Sequence, residues 1–279
     1  MKNWDSKSII EQEGTIFLNS EIFKINYLLN EYPFREGQYK EMLAYSKEVK
    51  NGKAPKNMLL KGTFATGKTS ILKLYLRTMK EDYPNIIISY INCNINRTEN
   101  EIFNKIYESI FDLHKKQGSH TKWLYNKCFR KLETANKTLI LGLDDIEGIK
   151  NKIELNNLFS KLLRVKELYP KVKISLIIVG HTNIELNLEN KVKTVMVSLP
   201  IEFPSYNKEQ IYQILKSRCE IGFYPGVISE EILKLVVDET YDRGNLRDGI
   251  NILGAAGACA EIDNSSKILK KHLKLNLKK

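Results

Sequence analysis

Met58-Leu59-Leu60-Lys61-Gly62-Thr63-Phe64-Ala65-Thr66-Gly67-Lys68-Thr69-Ser70-Ile71-Leu72-Lys73 is the stretch that decides the fold. A short apolar strand, Met58–Lys61, runs into an octet of the form G-x-x-x-x-G-K-[ST], and a helical pattern starts at Ser70. The order has a physical reason. Backbone N–H groups of such a loop wrap phosphates, and the N-terminus of the following helix adds its positive end. Lys68 is expected to neutralise the β- and γ-phosphates, and the Thr69 hydroxyl to ligate Mg²⁺. Gly62, Thr63, Phe64, Ala65, Thr66, Gly67, Lys68, Thr69 and Ser70 form the expected nucleotide-binding set. On its own the loop specifies ATP or GTP.

Outward from the loop, four more β-branched runs read as strands: Ile86–Ile91, Thr138–Leu143, Ile174–Gly180 and Val195–Leu199. Their near-continuous apolar character suits a parallel sheet buried on both faces. Helical spacing fills the intervals at Ser70–Lys80, Glu99–Leu113, Lys122–Leu132 and Leu155–Leu168, with another helix at about Gly37–Val49. Strands alternating with helices predict an α/β domain, a five-stranded parallel sheet flanked by helices. After Pro204 the pattern becomes purely helical, with Lys208–Arg218, Ser229–Asp238 and Asn245–Glu261. This predicts an α/β base over residues 1–204 and a small helical lid over 205–279. In the tail, Lys267–Lys279 reads as a last helix on the lid, with a basic arm as the alternative.

The second half of the site is expected where a buried strand ends in acids. Thr138-Leu139-Ile140-Leu141-Gly142-Leu143-Asp144-Asp145 supplies it. Two carboxylates at the end of an apolar strand call for a cation or water. Asp144 is the expected magnesium residue, through its water shell, and Asp145 the general base that polarises an attacking water. Asn183, after the next apolar strand, is placed to bond that water or the γ-phosphate.

The chain has 279 residues and a net charge of +11, which favours a polyanionic partner, although lysines solvating helix faces account for the same charge. No apolar run reaches the roughly 18 residues of a membrane span, and the polar N-terminus is unlike a signal peptide. A cytoplasmic protein is expected. Cys93, Cys128, Cys219 and Cys259 are scattered, which argues against a zinc site or disulfide framework. Neither G-x-S-x-G nor H-E-x-x-H occurs, so serine hydrolase and zincin chemistry have no support.

The loop, the acidic strand, Asn183 and the helical lid together resemble an AAA+ ATPase. More closely they resemble the replication-initiator family of origin recognition complex subunit one and cell division control protein six. The resemblance covers about residues 25–275. Tyr32-Pro33-Phe34-Arg35-Glu36-Gly37-Gln38 is similar to the family's P-x-R-E-x-Q segment near the adenine, which implies a nucleotide-binding role for Arg35. Ile91-Asn92-Cys93 with Thr98 resembles its I-N-C…T stretch. Phe203-Pro204-Ser205-Tyr206 and Phe223-Tyr224-Pro225-Gly226-Val227 echo its lid motifs, with Tyr206 counted among the nucleotide residues. Gly244-Asn245-Leu246-Arg247 is similar to its second sensor, which implies that Arg247 reaches the γ-phosphate and couples nucleotide state to lid angle.

Three departures shape the expected activity. Asp145 stands where most relatives carry Glu, one methylene longer, so slow hydrolysis is expected. Lys191-Val192 replaces an R-V pair whose arginine acts in trans in assembled rings, and Arg164 is a weak substitute. These initiators also continue into a C-terminal winged-helix domain, whereas this chain is read as stopping about where the lid ends. DNA contact then falls to His114–Lys131, where the family carries a DNA-binding helix. Lys115, Lys116, Lys122, Lys127, Arg130 and Lys131 lie there with Trp123 and Tyr125, and an amphipathic helix with Trp123 in the core explains the same residues.

The resulting expectation is an ATP-switched AAA+ ATPase of DNA replication initiation. Its expected partners are DNA and either a replicative helicase or other initiator subunits, with a homo-oligomer as a further expectation and no membrane. Two alternatives stand beside it: a regulator of a partner protein or transposition-type complex, and a structural subunit that holds ATP or ADP without turnover.

Overall fold

A computed structural model describes residues 16–24, 27–113, 120–181, 188–195 and 198–273. They form two compact units: Asn30–Pro204, and the described residues up to Leu29 together with those from Ser205 onward.

In the first unit the chain runs through α1 (Glu36–Ala44), β1 (Asn57–Lys61), α2 (Lys68–Asp82), β2 (Ile86–Asn92), α3 (Glu99–Phe111) and α4 (Thr121–Ala135). It continues through β3 (Thr138–Asp144), α5 (Lys152–Leu163), α6 (Val165–Leu168), β4 (Lys173–Gly180), α7 (Asn190–Val195) and β5 (Ser198–Glu202). Among the described residues the sheet has five parallel strands in the order β2-β3-β4-β1-β5. Strand β3 is buried at every position, as its unbroken apolar run requires.

The period of two divides each strand between two cores. Leu139, Leu141 and Leu143 join Phe103, Phe129 and Phe159 on one face. Ile140 joins Met58, Leu60, Leu72 and Tyr75 on the other. Asp144 shares the parity of Ile140, so it faces α2, whose second residue is Thr69. The alternation that builds the core thus delivers the carboxylate to the helix that begins at the loop. At the edge, β5 pairs, among the described residues, with β1 alone, and Pro200, opposite Leu59, is tolerated there although it lacks an N–H.

The second unit contains α8 (Lys208–Gly222), α9 (Glu230–Arg243) and α10 (Leu246–Ile262). Caps mark their starts: Asn207 with Gln210 forms a capping box, and Ser229 and Asn245 accept from the first-turn N–H groups of Ile232 and Arg247. Ile22 and Phe23 are buried in this unit's core with Leu215, Phe223, Val236 and Leu253. Phe17, Phe23 and Phe223 form an aromatic trio. Gly257 makes room for it, since a Cβ there would lie 2.4 Å from the Phe17 ring.

Several expectations are corrected. The described residues before Asn30 pack with the helical unit, not with the base to which 1–204 was assigned. The strand expected at Val195–Leu199 starts at Ser198, because α7 extends to Val195. The helix expected over Leu155–Leu168 breaks at Arg164, and the one over Gly37–Val49 ends at Ala44, before a 3-10 turn at Lys47–Asn51. The described part of the tail is no helix beyond a 3-10 turn at Lys270–His272. There Ile268 donates its N–H to the Val227 carbonyl, and Ile268 and Leu273 are buried in the helical core. No helix among the described residues is long and apolar enough to cross a membrane.

Candidate nucleotide-binding site

The loop Gly62–Thr69 joins the C-terminal end of β1 to the N-terminus of α2. Its glycines meet two different demands. A Cβ on Gly62 would stand 2.3 Å from the Phe203 carbonyl oxygen, so no side chain fits. Gly67, the residue ahead of the helix, has φ +89°, a conformation that favours glycine. Between them Ala65 also takes positive φ, and Thr66 is buried with its hydroxyl donating to the Thr63 carbonyl, 3.0 Å away.

Lys68 is buried, and its Nζ donates to the carbonyls of Gly62 at 2.8 Å and Thr63 at 2.5 Å. Phe64 projects from the loop, 71% exposed, with its ring edge-on to His181 at the end of β4. The His181 N–H is held by the Glu147 carboxylate.

Across the sheet, the Thr69 hydroxyl donates to Asp144 Oδ1 at 3.0 Å and the Tyr90 hydroxyl to Asp144 Oδ2 at 2.7 Å. Asp144 is inaccessible to solvent. Burial, the largest influence, pushes its carboxyl above the usual carboxylate range, against the two hydroxyl donors. Burial and then the Asp144 charge push the Tyr90 phenol upward, so it stays protonated as the donor. Thr69 and Asp144 are hard oxygen donors, and a buried carboxylate with raised proton affinity favours a cation. Both properties fit Mg²⁺, which needs few protein ligands beside phosphate and water. Among the described residues no cluster of three acidic, His or Cys groups suggests another metal.

Asp145 has left-handed backbone (φ 51°, ψ 52°). Its Oδ2 accepts from Asn94 Nδ2 at 3.1 Å and Asn92 Nδ2 at 3.3 Å. Tyr90, Asn92 and Asn94 thus brace both acids from the end of β2. Tyr90 and Asn94 stand in no motif of the sequence, and Asn92 stands only in the I-N-C stretch, with no contact to the acids implied. The available signal was their place at the end of a strand in register with β3, where Asn92 pairs with Asp144. Thr98, by contrast, caps α3 in a capping box with Glu101.

The other expected residues are distributed as follows. Asn183 lies outside the described residues, as do Lys115, Lys116 and the side chain of Lys191. Arg35 is buried, with its guanidinium on backbone carbonyls of Phe34, Thr66 and Pro204. Tyr206 packs against the helical unit's core, and Arg247 is exposed in the first turn of α10. On α4, Lys122, Lys127, Arg130 and Lys131 are exposed. Trp123 is 43% exposed, beneath the Lys127 ammonium and beside Tyr107, and not in the core. Tyr125 and Phe129 are the buried aromatics of that helix. The Cys93 and Cys128 thiols are pushed up to about 12, chiefly by burial, so they are unreactive core groups.

The chain is similar in sequence and in fold to known proteins. Residues 51–188 match the AAA domain family and residues 212–275 the Cdc6 AAA+ ATPase-type lid domain. ORC1-type DNA replication protein 2 of Methanosarcina mazei is 33% identical over 94% of this chain and 70% of its own length. Among solved structures, the Aeropyrum pernix ORC1 protein in complex with DNA superposes with a TM-score of 0.85 at 23% identity, over 94% of this chain and 69% of that one. Cdc6p of Pyrobaculum aerophilum gives a TM-score of 0.80 at 25% identity, over 91% of this chain and 69% of that one. ORC1-type DNA replication protein 2 of Methanothermobacter thermautotrophicus is 30% identical over 99% of this chain and 74% of its own length. A likeness sustained over nearly every residue reaches beyond a shared fold, and the chain belongs to the ORC1-type DNA replication proteins, AAA+ ATPases of replication initiation.

Proposed function

We propose that this initiator is a nucleotide switch that binds Mg-ATP on Gly62–Thr69, hydrolyses it slowly and contacts DNA through α4. The observation that carries the proposal is the Thr69–Asp144 pair, which sets a hydroxyl at the helix N-terminus 3.0 Å from a buried carboxylate. When bound, Mg²⁺ would offset charge on the β- and γ-phosphates, held by Thr69 and Asp144. Lys68 supplies a further positive charge to the same oxygens.

Asp145 is assigned the proton of the attacking water. Its short side chain and the two amides on one oxygen support slow turnover, because the carboxylate is set back and half engaged. By the family resemblance, Asn183 is assigned to the water or γ-phosphate and Arg247 to the γ-phosphate. The same braced Asp145 favours a second reading, a subunit that holds nucleotide without turnover. Tight ADP with no measurable phosphate release would select it.

For DNA, the exposed cations of α4 are suited to phosphates, with salt-dependent and largely sequence-blind binding. Helicase or other initiator subunits, and self-association, complete the proposal. The test measures DNA binding with ATP, ADP and no nucleotide over a salt series. Nucleotide-dependent, salt-sensitive binding supports the switch, and no binding at low salt rules it out.

A further inference from the structure

We infer that Arg35 is a positioning residue that sets the direction of the Gly67 N–H in the phosphate loop, and is not a ligand of the base. The inference rests on the nucleotide reading of Gly62–Thr69. Arg35 is only 2% exposed. Its Nε donates to the Thr66 carbonyl at 2.8 Å, one terminal nitrogen to the Phe34 carbonyl at 2.7 Å and the other to the Pro204 carbonyl at 2.6 Å. The guanidinium carbon lies 5.8 Å from the centre of the Phe203 ring. A buried guanidinium is costly unless its donors are engaged, and here all three nitrogens hold backbone oxygens.

The contact with Thr66 has a consequence for the neighbouring peptide. A trans peptide is planar, with its C=O and N–H pointing in opposite directions. By holding the Thr66 oxygen, Arg35 turns the Gly67 N–H the opposite way, away from the guanidinium. Flipping this peptide would present a carbonyl oxygen to a phosphate in place of a donor. Gly67 itself offers little resistance to the flip, because glycine accepts either sign of φ. Arg35 supplies the resistance.

The frame behind it is tied together by hydrogen bonds and close packing. Phe203 donates its N–H to the Lys61 carbonyl at 2.7 Å, Gly62 packs against the Phe203 carbonyl, and Gln38 holds the Glu202 carbonyl at 3.1 Å. Lysine cannot replace this device, since a single ammonium cannot reach three divergent carbonyls.

A base ligand and a loop-positioning residue differ in what they do to base specificity. The experiment measures dissociation constants of ATP and inosine triphosphate for the wild type, Arg35→Lys and Arg35→Met, with thermal unfolding as a folding check. Both nucleotides are expected to weaken by on the order of tenfold or more in both variants, with their ratio unchanged. A changed ratio would make Arg35 a base ligand and overturn the inference, as would wild-type affinity in a folded Arg35→Lys. If Arg35→Met does not fold, Arg35→Lys decides. A wild type that binds neither nucleotide overturns the site itself along with this inference, whereas a binding wild type matched by Arg35→Lys overturns the inference alone.

Discussion

At the end of β3, Asp144 is inaccessible to solvent, and burial raises its carboxyl despite hydroxyls on both oxygens. The folded chain therefore holds that proton more tightly than the unfolded chain does. This contribution to stability is greatest at low pH and falls as pH rises through the raised folded value. Asp144→Asn removes the buried charge, and the Thr69 and Tyr90 hydroxyls can still bond an amide, because each either donates or accepts. Without nucleotide, the variant is expected to melt a few degrees higher than wild type at neutral pH, where about 1 kcal/mol corresponds to roughly 2–4 °C. It is also expected to lose the added stability that Mg-ATP gives the wild type; thermal scans at two pH values with and without Mg-ATP check both outcomes. Asp145 is half-buried, and its Oδ2 accepts from two asparagines. Asp145→Asn is expected to keep nucleotide affinity and lose phosphate release, while Lys68→Ala abolishes nucleotide binding. Titration calorimetry with a phosphate-release assay separates the two, and unchanged affinity in the Lys68 variant would refute the site.

Among the elements, α4 carries the clearest surface message. Trp123, Lys127 and Arg130 recur at helical spacing on its exposed side, while Leu124, Cys128 and Leu132 fill the core on the other. Changing Lys127, Arg130 and Lys131 together to Gln is expected to weaken DNA binding most at low salt and to flatten its salt dependence by about three contacts' worth. ATP affinity should stay as in wild type, and an unaltered salt slope would remove α4 from the interface. How far these elements were legible follows from the physics of each. β1, β3 and β4 announced themselves because a strand buried on both faces must be apolar throughout. β5 was displaced by three residues because Pro200 reads as an end, yet it costs little on an edge strand with only one neighbour. Loop and acid strand were legible because phosphate chemistry dictates residue type as well as spacing. Tyr90, Asn92 and Asn94 were not, because an amide or phenol at a strand end bonds many things, and only the register with β3 shows which. Arg35 was legible as important but not in its action, which depends on carbonyls 31 and 169 residues away.

At the scale of the molecule, the α/β unit is a continuous stretch of chain, whereas the helical unit is assembled from segments on either side of it. Its N-terminal contribution is small in sequence and central in packing. Phe23 stacks on Phe223 with ring centres 4.5 Å apart, Leu18 donates its N–H to the Gly222 carbonyl, and the buried Arg218 donates to the Ile22 carbonyl. Nothing local marks Phe17–Phe23 as lid sequence, since the partners that define it lie some 200 residues later, on α8 and α10. A large aromatic removed from such a core costs about 3–5 kcal/mol, a sizeable share of the stability of a typical domain. Phe23→Ala is therefore expected to destabilise the helical unit selectively. Amide hydrogen exchange should show α8 and α10 losing protection while β1, β3 and β4 keep theirs. If the strands of the sheet lost protection to the same degree, the two units would be one cooperative body, and the discontinuous helical unit would not stand as a separate element of stability.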